Sequence, residues 1–484
     1  MTWPAEEIAD PKHKPFWRRK RWMFAGAFAL VGFAASIYVV TGWSEVARLK
    51  AAIRARGEPV THDELAEYYA RPPADRDATR LWLSAGQSLE LAAGAQAARK
   101  LPFLGDVALP SLVGQPWAEL EPARQFLQKN SEAMRQLHDA ADLGGEARYP
   151  VDFRAGIFTL LKHVQMLRNA ARCLALEANA RAHSGDMHGA AESLRTGLLL
   201  AESLKNEPIA VSQLVRIAIH GMIVGQIKRI GPANFPAADL ERLQETLAQI
   251  DFRNGLRRAA IGERVLGLTT FDDPVSAGLP SQTAYFLWMN RGADELAYLT
   301  IMSDFVALTE APWNELPDQM NAWSQALPAR MSRWTLITSL LTPAISIIGN
   351  NFARGETVNR LSLIDVAIAR YSQQHGRPPT ELAALVPDFW AEVPLDPTSG
   401  APFSYQAMAD RYVLYSPTKV FPIHSSEKPD AETGANPNLV FRRPPLPDEP
   451  KTAANANAQE SKEQAGENSA EPKTSVPEPD AVAP

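Results

Sequence analysis

The stretch LEANARAHSGDMHGAAESLRTGLLLAESLKNEP, residues 176–208, decides the class of fold that the sequence predicts. Small side chains at Ala178 and Ala182 allow another helix to approach closely, and Gly185-Asp186 supplies a turn. After the turn the apolar stripe resumes at Ala190, Ala191 and Leu194, and it ends at Pro208. The pattern predicts two antiparallel helices joined by a tight turn.

Upstream of this hairpin, apolar residues recur at steps of three and four, as expected for one buried face of a helix. They are Ile157, Leu160, Leu161, Val164, Leu167, Ala171 and Leu174. The hairpin resembles one tetratricopeptide-like repeat in length, but the chain shows no second copy with the same spacing. Because a solenoid needs about three repeats, we expect helical hairpins in one domain and not a repeat array.

Downstream, PIAVSQLVRIAIHGMIVGQIKRI (208–230) predicts a strongly apolar helix. Its predicted buried stripe is Val211, Leu214, Val215, Ala218 and Met222. Gln213, Arg216 and His220 line another face at steps of three and four. A polar line of this kind can bind a ligand, but it is more typical of a solvated edge, which is our prediction.

The N-terminal part predicts a membrane span. The segment KHKPFWRRKR (12–21) carries six Lys or Arg residues and precedes 22 uncharged residues, Trp22–Trp43. A helix of that length crosses about 30 Å of hydrocarbon, and tryptophan at both ends suits the two headgroup layers. A cleaved signal peptide is the alternative, but its apolar region is about 7–15 residues long.

Cation bias predicts the orientation of this span. Six Lys or Arg residues precede it, and four follow closely: Arg48, Lys50, Arg54 and Arg56. The excess before the span places the N-terminus in the cytoplasm and residues 44–484 outside the cytoplasmic membrane. We therefore expect a single-pass protein of the cell inner membrane with an extracytoplasmic bulk.

Near the C-terminal end, glycine and proline residues that end a helix and make turns predict a small module of helix and sheet. A helical stripe from Leu361 to Tyr371 ends at Gly376, which is free to take positive φ, and two prolines follow. Asp396 is predicted to cap a turn that reverses at Gly400. Alternating residues predict strands at 403–406 and 411–416, and NLVFRR (438–443) predicts a third, edge strand.

The order of these residues resembles the soluble C-terminal part of the major pseudopilins of type II secretion. It is carried by Ala367, Tyr371, His375-Gly376, Pro378, Pro379, Leu382, Leu385, Val393-Pro394, Asp396-Pro397, Gly400, Pro402-Phe403, Tyr405 and Tyr412 to Ser416. The resemblance implies a helix packed on a small antiparallel sheet. It does not extend to the adjacent membrane helix of a pseudopilin, and residues 417–438 lack an acidic spacing for calcium.

The whole arrangement also resembles large membrane-anchored proteins of planctomycete-type bacteria, through the pieces GEPVTHDELAEYY (57–69) and SGDMHGAAESL (184–194). This second resemblance implies no activity.

Composition divides the chain into five segments. We predict a cytoplasmic basic segment (1–21), a transmembrane helix (22–43), a helical domain (44–345), a pseudopilin-like α+β module (346–441) and a disordered tail (442–484). The tail has no aromatic residue and is rich in Pro, Ala, Glu, Asn and Ser, so it buries too little apolar surface to offset chain entropy. The predicted fold class is mainly α.

Composition also limits the chemistry. The net charge of −6 gives no overall basic field for nucleic acid. The single cysteine, Cys173, permits no disulfide within the chain, and we expect it to be a buried small hydrophobe. His183 and His188 are five residues apart, which does not place both on one helical face. Asp272-Asp273 is predicted to be a solvated turn.

The sequence lacks the phosphate-binding, serine-hydrolase, zinc-protease and dinucleotide motifs, so we assign no catalytic residue, cofactor or metal ligand. Two functions stay open. One is a membrane-tethered binding or scaffolding protein whose helical hairpins and C-terminal module contact protein partners, linked to a type II secretion or pilus-like apparatus. The other is a hydrolase-like extracytoplasmic enzyme whose polar pocket gathers Glu263, Asp294, Asp304 or His220.

Overall fold

The structure is a computed structural model that describes residues 15–110, 113–275, 281–332, 335–342, 348–408, 411–417, 430, 432–433, 435–436 and 439–443. Within these ranges the fold is mainly helical, as predicted. The helices are α1 (Pro15–Ala55), α2 (His62–Tyr68), α3 (Thr79–Ala93), α4 (Leu120–Lys129), α5 (Ser131–Asp142), α6 (Lys162–His183), α7 (Met187–Glu202), α8 (Ala210–Ile230), α9 (Ala237–Ala248), α10 (Phe252–Asp272), α11 (Ser281–Leu308), α12 (Leu316–Arg330), α13 (Leu336–Leu341) and α14 (Ile348–His375).

The predicted hairpin is confirmed as α6 and α7, which pack along each other. Gly185 takes a φ of 82° in the turn, a conformation that costs an L side chain free energy and glycine none. Asp186 then caps α7 by accepting a hydrogen bond of 2.8 Å from the backbone N–H of Gly189. The small residues Ala178 and Ala190 are fully buried, which lets the two backbones come close.

The prediction of one apolar stripe from Ile157 to Leu174 is wrong at its first residues. Residues 153–158 form a separate 3-10 turn, and α6 begins only at Lys162. Gly156 breaks the helix because it has a φ of 56° and lies directly against Thr269. As a result Ile157 is 42% exposed and Leu160 is 76% exposed, although both were predicted to be buried.

The prediction for α8 is also wrong, because the polar line is the buried one. Gln213, Arg216 and His220 have between 0% and 1% of their surface exposed, whereas Val211 is 53% exposed. Helices α6, α7, α10 and α14 all pack against α8 and cover most of its circumference. The polar side chains are accommodated there because partners from distant parts of the chain meet them.

One hydrophobic core joins the helices to the C-terminal module. It extends from Val46 in α1 to Phe441, and it includes residues on both sides of the predicted boundary at 345/346. Helix α14 packs against α8, α9 and α10 and also contacts the sheet. The hydroxyl of Tyr412 donates a hydrogen bond of 2.7 Å to Asp365, which fastens the sheet to α14.

The three strands predicted near the C-terminus form an antiparallel sheet. They are β1 (Ser404–Ala407), β2 (Tyr412–Tyr415) and β3 (Val440–Arg443), in the order β1-β2-β3. Gly376 takes a φ of 73° at the end of α14, as predicted. Because Arg442 and Arg443 belong to β3, the predicted tail boundary at 442 is too early; residues 444–484 lie outside the described residues.

The predicted membrane span lies within α1, of whose side chains a part is described. Six large apolar ones there are between 66% and 85% exposed: Met23, Phe24, Phe28, Leu30, Phe33 and Val40. Val39 is partly buried, and Trp43 is 40% exposed. Judged by length and composition, one helix of the described chain is fit to cross a membrane, and that helix is α8. Since α8 is mostly buried inside the protein, this is equally the signature of a core helix.

Candidate functional sites: two buried polar seams and the α1 junction

A buried carboxylate, Glu207, organises the first polar seam. It follows α7, has no exposed surface, and accepts hydrogen bonds from three side chains. These are the hydroxyl of Tyr69 at 3.2 Å, Nε2 of His163 at 3.0 Å and the hydroxyl of Ser212. The seam therefore joins α6, α8 and the residue after α2 through one carboxylate.

Serine, histidine and a carboxylate meet here, but their order is not that of a nucleophilic triad. In a triad the histidine lies between the serine and the acid, so that it can take the hydroxyl proton. Here the carboxylate of Glu207 lies between Ser212 and His163, and it accepts from both. The arrangement holds three helical segments together, and the histidine is not placed to take the proton of the serine hydroxyl.

A shallow cleft of about 390 Å³ opens above this seam and is lined by residues 69 and 148–153. Tyr149 is one of the lining residues and stacks on His163 with ring centroids 4.5 Å apart. Burial raises the pKa of Tyr69 and of Tyr149, so both phenols stay protonated and act as donors. Arg148 at the rim donates to the carbonyl oxygens of Tyr69 and Ala66, which commits its guanidinium to the backbone.

The second polar seam consists of Gln213, Arg216 and His220 on α8. Gln213 donates to the carbonyl oxygens of Leu204 and Glu207, and so fixes the connection from α7 to α8. Arg216 donates to both oxygens of Glu202 at 2.8 and 2.9 Å, and its guanidinium lies over Phe252 at 5.0 Å.

His220 completes this seam by joining α8 to α14. Its Nε2 lies 3.1 Å from Oδ1 of Asn359, whose amide donates in turn to the carbonyl oxygen of Leu247. Burial lowers the pKa of His220 to about 4, so the ring is neutral at neutral pH. No hydrogen-bond partner meets its Nδ1 among the described residues.

The acidic residues suggested for an enzyme pocket are held in separate places. Glu263 accepts from the backbone N–H of Ala210 at the start of α8, and burial raises its pKa. Asp294 accepts from the N–H groups of Ile337 and Thr338 and thereby caps α13. Asp304 pairs with Arg330 on the surface. Each has a structural partner of its own, and the cleft above the first seam is lined by none of them and not by His220.

One group of side chains has the spacing of a metal site. Ligand atoms of His188, Glu192 and Asp239 lie within 4.8 Å of one another. Arg242, however, pairs with both carboxylates and supplies the positive charge that a metal would bring. His183 takes no part in this group and packs instead against the ring of Trp117 at 5.1 Å. The group is therefore an ion-pair cluster between α7 and α9.

The remaining sequence candidates have structural positions. Cys173 is fully buried, as predicted, and burial raises the pKa of its thiol to about 12. Asp396 caps its turn by accepting from the N–H of Thr398 at 2.9 Å, and its second oxygen accepts from Ser416. Asp430, which lies within residues 417–438, pairs with Arg442.

Polar contacts also mark the place where α1 enters the fold. Gly42 of α1 and Gly292 of α11 meet so closely that a Cβ on Gly292 would lie 2.9 Å from the Gly42 backbone. The guanidinium of Arg291 lies 5.1 Å from the ring centroid of Trp43, and it pairs with Asp272 at the end of α10. Beyond this junction Val46 and Ile53 of α1 are buried in the core.

These buried networks escape sequence reasoning because their members are far apart in the chain. Tyr69 and Glu207 are 138 residues apart, and His220 and Asn359 are 139 residues apart.

The comparisons with known proteins add no family: no family model matches the chain, and neither the curated proteins nor the solved structures contain a match.

Proposed function

We propose that this chain is a membrane-anchored binding or scaffolding protein of the cell inner membrane, with its helical body and C-terminal module on the extracytoplasmic side. The observation that carries the proposal is α1. Six of its described apolar side chains before the junction, from Met23 to Val40, are between 66% and 85% exposed, and the same helix continues into the core at Val46 and Ile53. An apolar helix that is exposed along one part and built into the body at the other is suited to an anchor.

The anchor is tested with charges placed inside α1. Two arginines near the centre of a span, at Leu30 and Phe33, cost about 5–7 kcal/mol of insertion free energy. We expect the Leu30→Arg/Phe33→Arg protein to be extracted from membranes by alkaline carbonate. The matched control is Leu91→Arg, because Leu91 on α3 is exposed to a similar degree and lies outside α1. Retention of the double variant in the membrane as an integral protein would contradict the anchor.

The orientation rests on the Lys and Arg residues that precede the span. A Leu91→Cys variant makes it measurable, since the native Cys173 is fully buried. We expect a membrane-impermeant maleimide to label position 91 in intact spheroplasts. Labelling only after lysis would place the body in the cytoplasm and refute the orientation.

The binding role is supported by the sheet of the C-terminal module, which is the part that resembles a pseudopilin. Strand β1 pairs with β2 on one side, and within the described chain no strand pairs with its other side. Such an edge can accept a strand from a partner. We therefore propose that the module contacts a protein of a secretion or pilus-like apparatus.

A photo-crosslinking residue at Gln406, which is exposed on β1, tests this contact in cells. The control carries the same residue at Gln128, which is exposed on α4. We expect a discrete crosslinked species from position 406 and none from position 128. Equal labelling at the two positions, or no adduct from position 406, would contradict a partner at the sheet edge.

A further inference from the structure

Exposed large hydrophobic side chains outside α1 concentrate at one end of α10. Six of them, which we call the apolar collar, are between 41% and 76% exposed: Ile157, Phe158, Leu160, Val275, Leu336 and Leu340. They come from three segments, namely the turn before α6, the residues after α10, and α13. Exposed apolar side chains gathered from separate segments indicate a contact surface more than scattered ones do.

Contacts between the helices show at which height along α1 the collar lies. Arg291 joins Trp43 of α1 to Asp272, the last residue of α10. The end of α10 therefore lies at the same height along α1 as Trp43, the last residue of the predicted span. Val275 follows three residues later in the chain.

The other two segments attach to α10 near the same level. Gly156, which precedes Ile157, lies against Thr269, three residues before Asp272 and about 4.5 Å along the axis. Leu341 of α13 lies 3.2 Å from the position that a Cβ on Gly267 would take, about 7.5 Å from Asp272 along the axis. Because residues 267 and 269 are about 200° apart around a helix, the two segments lie on opposite sides of α10.

A second contact confirms the level of α13. Asp294 accepts from the N–H of Ile337 at 3.0 Å, and it lies three residues after Arg291 on α11. That separation corresponds to about 4.5 Å along α11. The anchoring contacts of the turn and of α13 thus lie within about 8 Å, along the helix axes, of the level of Trp43.

We propose that the apolar collar seats the protein on the lipid bilayer, with these side chains in the interfacial layer around the base of the anchor. The inference rests on the proposed anchor and goes beyond it, since a single span needs no further lipid contact. The interfacial layer is about 5–8 Å deep on each face of a bilayer, which matches the spread of the anchoring contacts. Lipid is the occupant because the collar continues from the end of the apolar helix that enters the membrane.

The seating fixes the body relative to the membrane plane. A span joined to a body through one flexible linker leaves that body free to tilt. Here α1 continues unbroken from Pro15 to Ala55 into the core, and the collar adds apolar contacts on both sides of α10. The edge of β1 is then held in a defined direction relative to the membrane.

The test uses the full chain in vesicles whose acyl chains carry bromine, with an environment-sensitive fluorophore on single introduced cysteines. The collar positions are Leu160→Cys and Leu340→Cys, and Phe33→Cys within α1 reports the anchor. Leu91→Cys is the matched control, because Leu91 and Leu160 are both 76% exposed. Leu91 lies at the end of α3, and the chain continues to Leu101, which shares a hydrophobic cluster with Leu176 and Ala180 in the C-terminal half of α6. The native Cys173 stays unlabelled while the fold is intact, since it is fully buried.

We expect bromine placed close to the headgroups to reduce the emission at positions 160 and 340, bromine placed deeper in the acyl chains to reduce it at position 33, and neither to change it at position 91. Quenching at position 33 alone would overturn the collar and leave the anchor in place. Equal quenching at positions 91 and 160 would also overturn it, because the contact would then not be confined to the collar. Absence of quenching at position 33 would overturn the anchor and the collar together.

Discussion

Replacing Arg216 with methionine removes the centre of the second polar seam. Its guanidinium is 1% exposed and makes two charge-assisted hydrogen bonds, of 2.8 and 2.9 Å, to the carboxylate of Glu202, which is 12% exposed. Breaking a buried pair by removing one partner costs about 3–5 kcal/mol, because the other charge remains buried without compensation. The loss falls where α8 meets the end of α7 and the start of α10.

Hydrogen exchange of the α8 amides measures this loss locally, which suits a long chain whose global unfolding takes several steps. Every 1.4 kcal/mol is a factor of ten, so amides that open through this contact should exchange about a hundred-fold to several-thousand-fold faster. The double variant Glu202→Met/Arg216→Met should regain most of the protection, since no unpaired charge remains.

The matched control is Arg135→Met. Arg135 also bridges two carboxylates, Glu132 and Asp139, but its side chain is 61% exposed. Water screens that pair, so we expect unchanged exchange in the control. Equal effects at positions 135 and 216, or a double variant as unstable as Arg216→Met, would refute the reasoning about burial.

Three further predictions follow from single positions. Burial lowers the pKa of His220 to about 4, so the unfolded chain takes up a proton below pH 6.5 that the folded chain does not. The free energy of unfolding therefore has its full value above pH 6.5 and falls by up to about 3 kcal/mol towards pH 4. His220→Gln keeps the donor without titrating, so its urea midpoint should change less between pH 7.5 and 4.5 than that of the native protein. Cys173 should resist a thiol reagent in the folded protein and react at once in denaturant, and rapid native labelling would contradict its burial. Gly156→Ala should lower the thermal midpoint more than Gly57→Ala: both glycines have positive φ, but a Cβ at 156 meets Thr269 at 1.9 Å and one at 57 meets nothing within 4 Å. Equal shifts would show that backbone strain, and not the contact, decides the effect.

Local signals predicted the parts of the fold that local interactions determine. The turn at Gly185-Asp186, the end of α14 at Gly376 and the turn capped by Asp396 each depend on residues within a few positions of one another. These features were read correctly from the sequence. The strands of the small sheet were found for the same reason, since alternation over four to six residues is a local pattern.

The helix face of α8 could not be read in this way. Periodicity ranks side chains by their own polarity, so Gln213 and Arg216 were placed towards water. Burial instead depends on partners such as Glu202 and Asp251, which lie 14 and 35 residues away from Arg216. A polar residue can be buried wherever such partners meet it, and one sequence does not show where they do.

Exposed apolar residues caused the opposite error. The apolar stripe from Ile157 to Leu174 predicts that Leu160 is buried, but its side chain is 76% exposed. Hydrophobic periodicity assumes that the protein interior is the one place for apolar side chains. The buried seam at Glu207 gave no signal either, since a lone glutamate before Pro208 is typical of a helix end.

The hydrogen bond between His220 and Asn359 sets an order of events during synthesis. The histidine is added to the chain 139 residues before its partner. At about 5–20 residues per second, this delay is about 7–28 seconds. During that time α8 carries a polar seam without the helix that closes it, and the core that joins the two halves of the protein is open. The body therefore becomes complete only when the segment near residue 359 has been made.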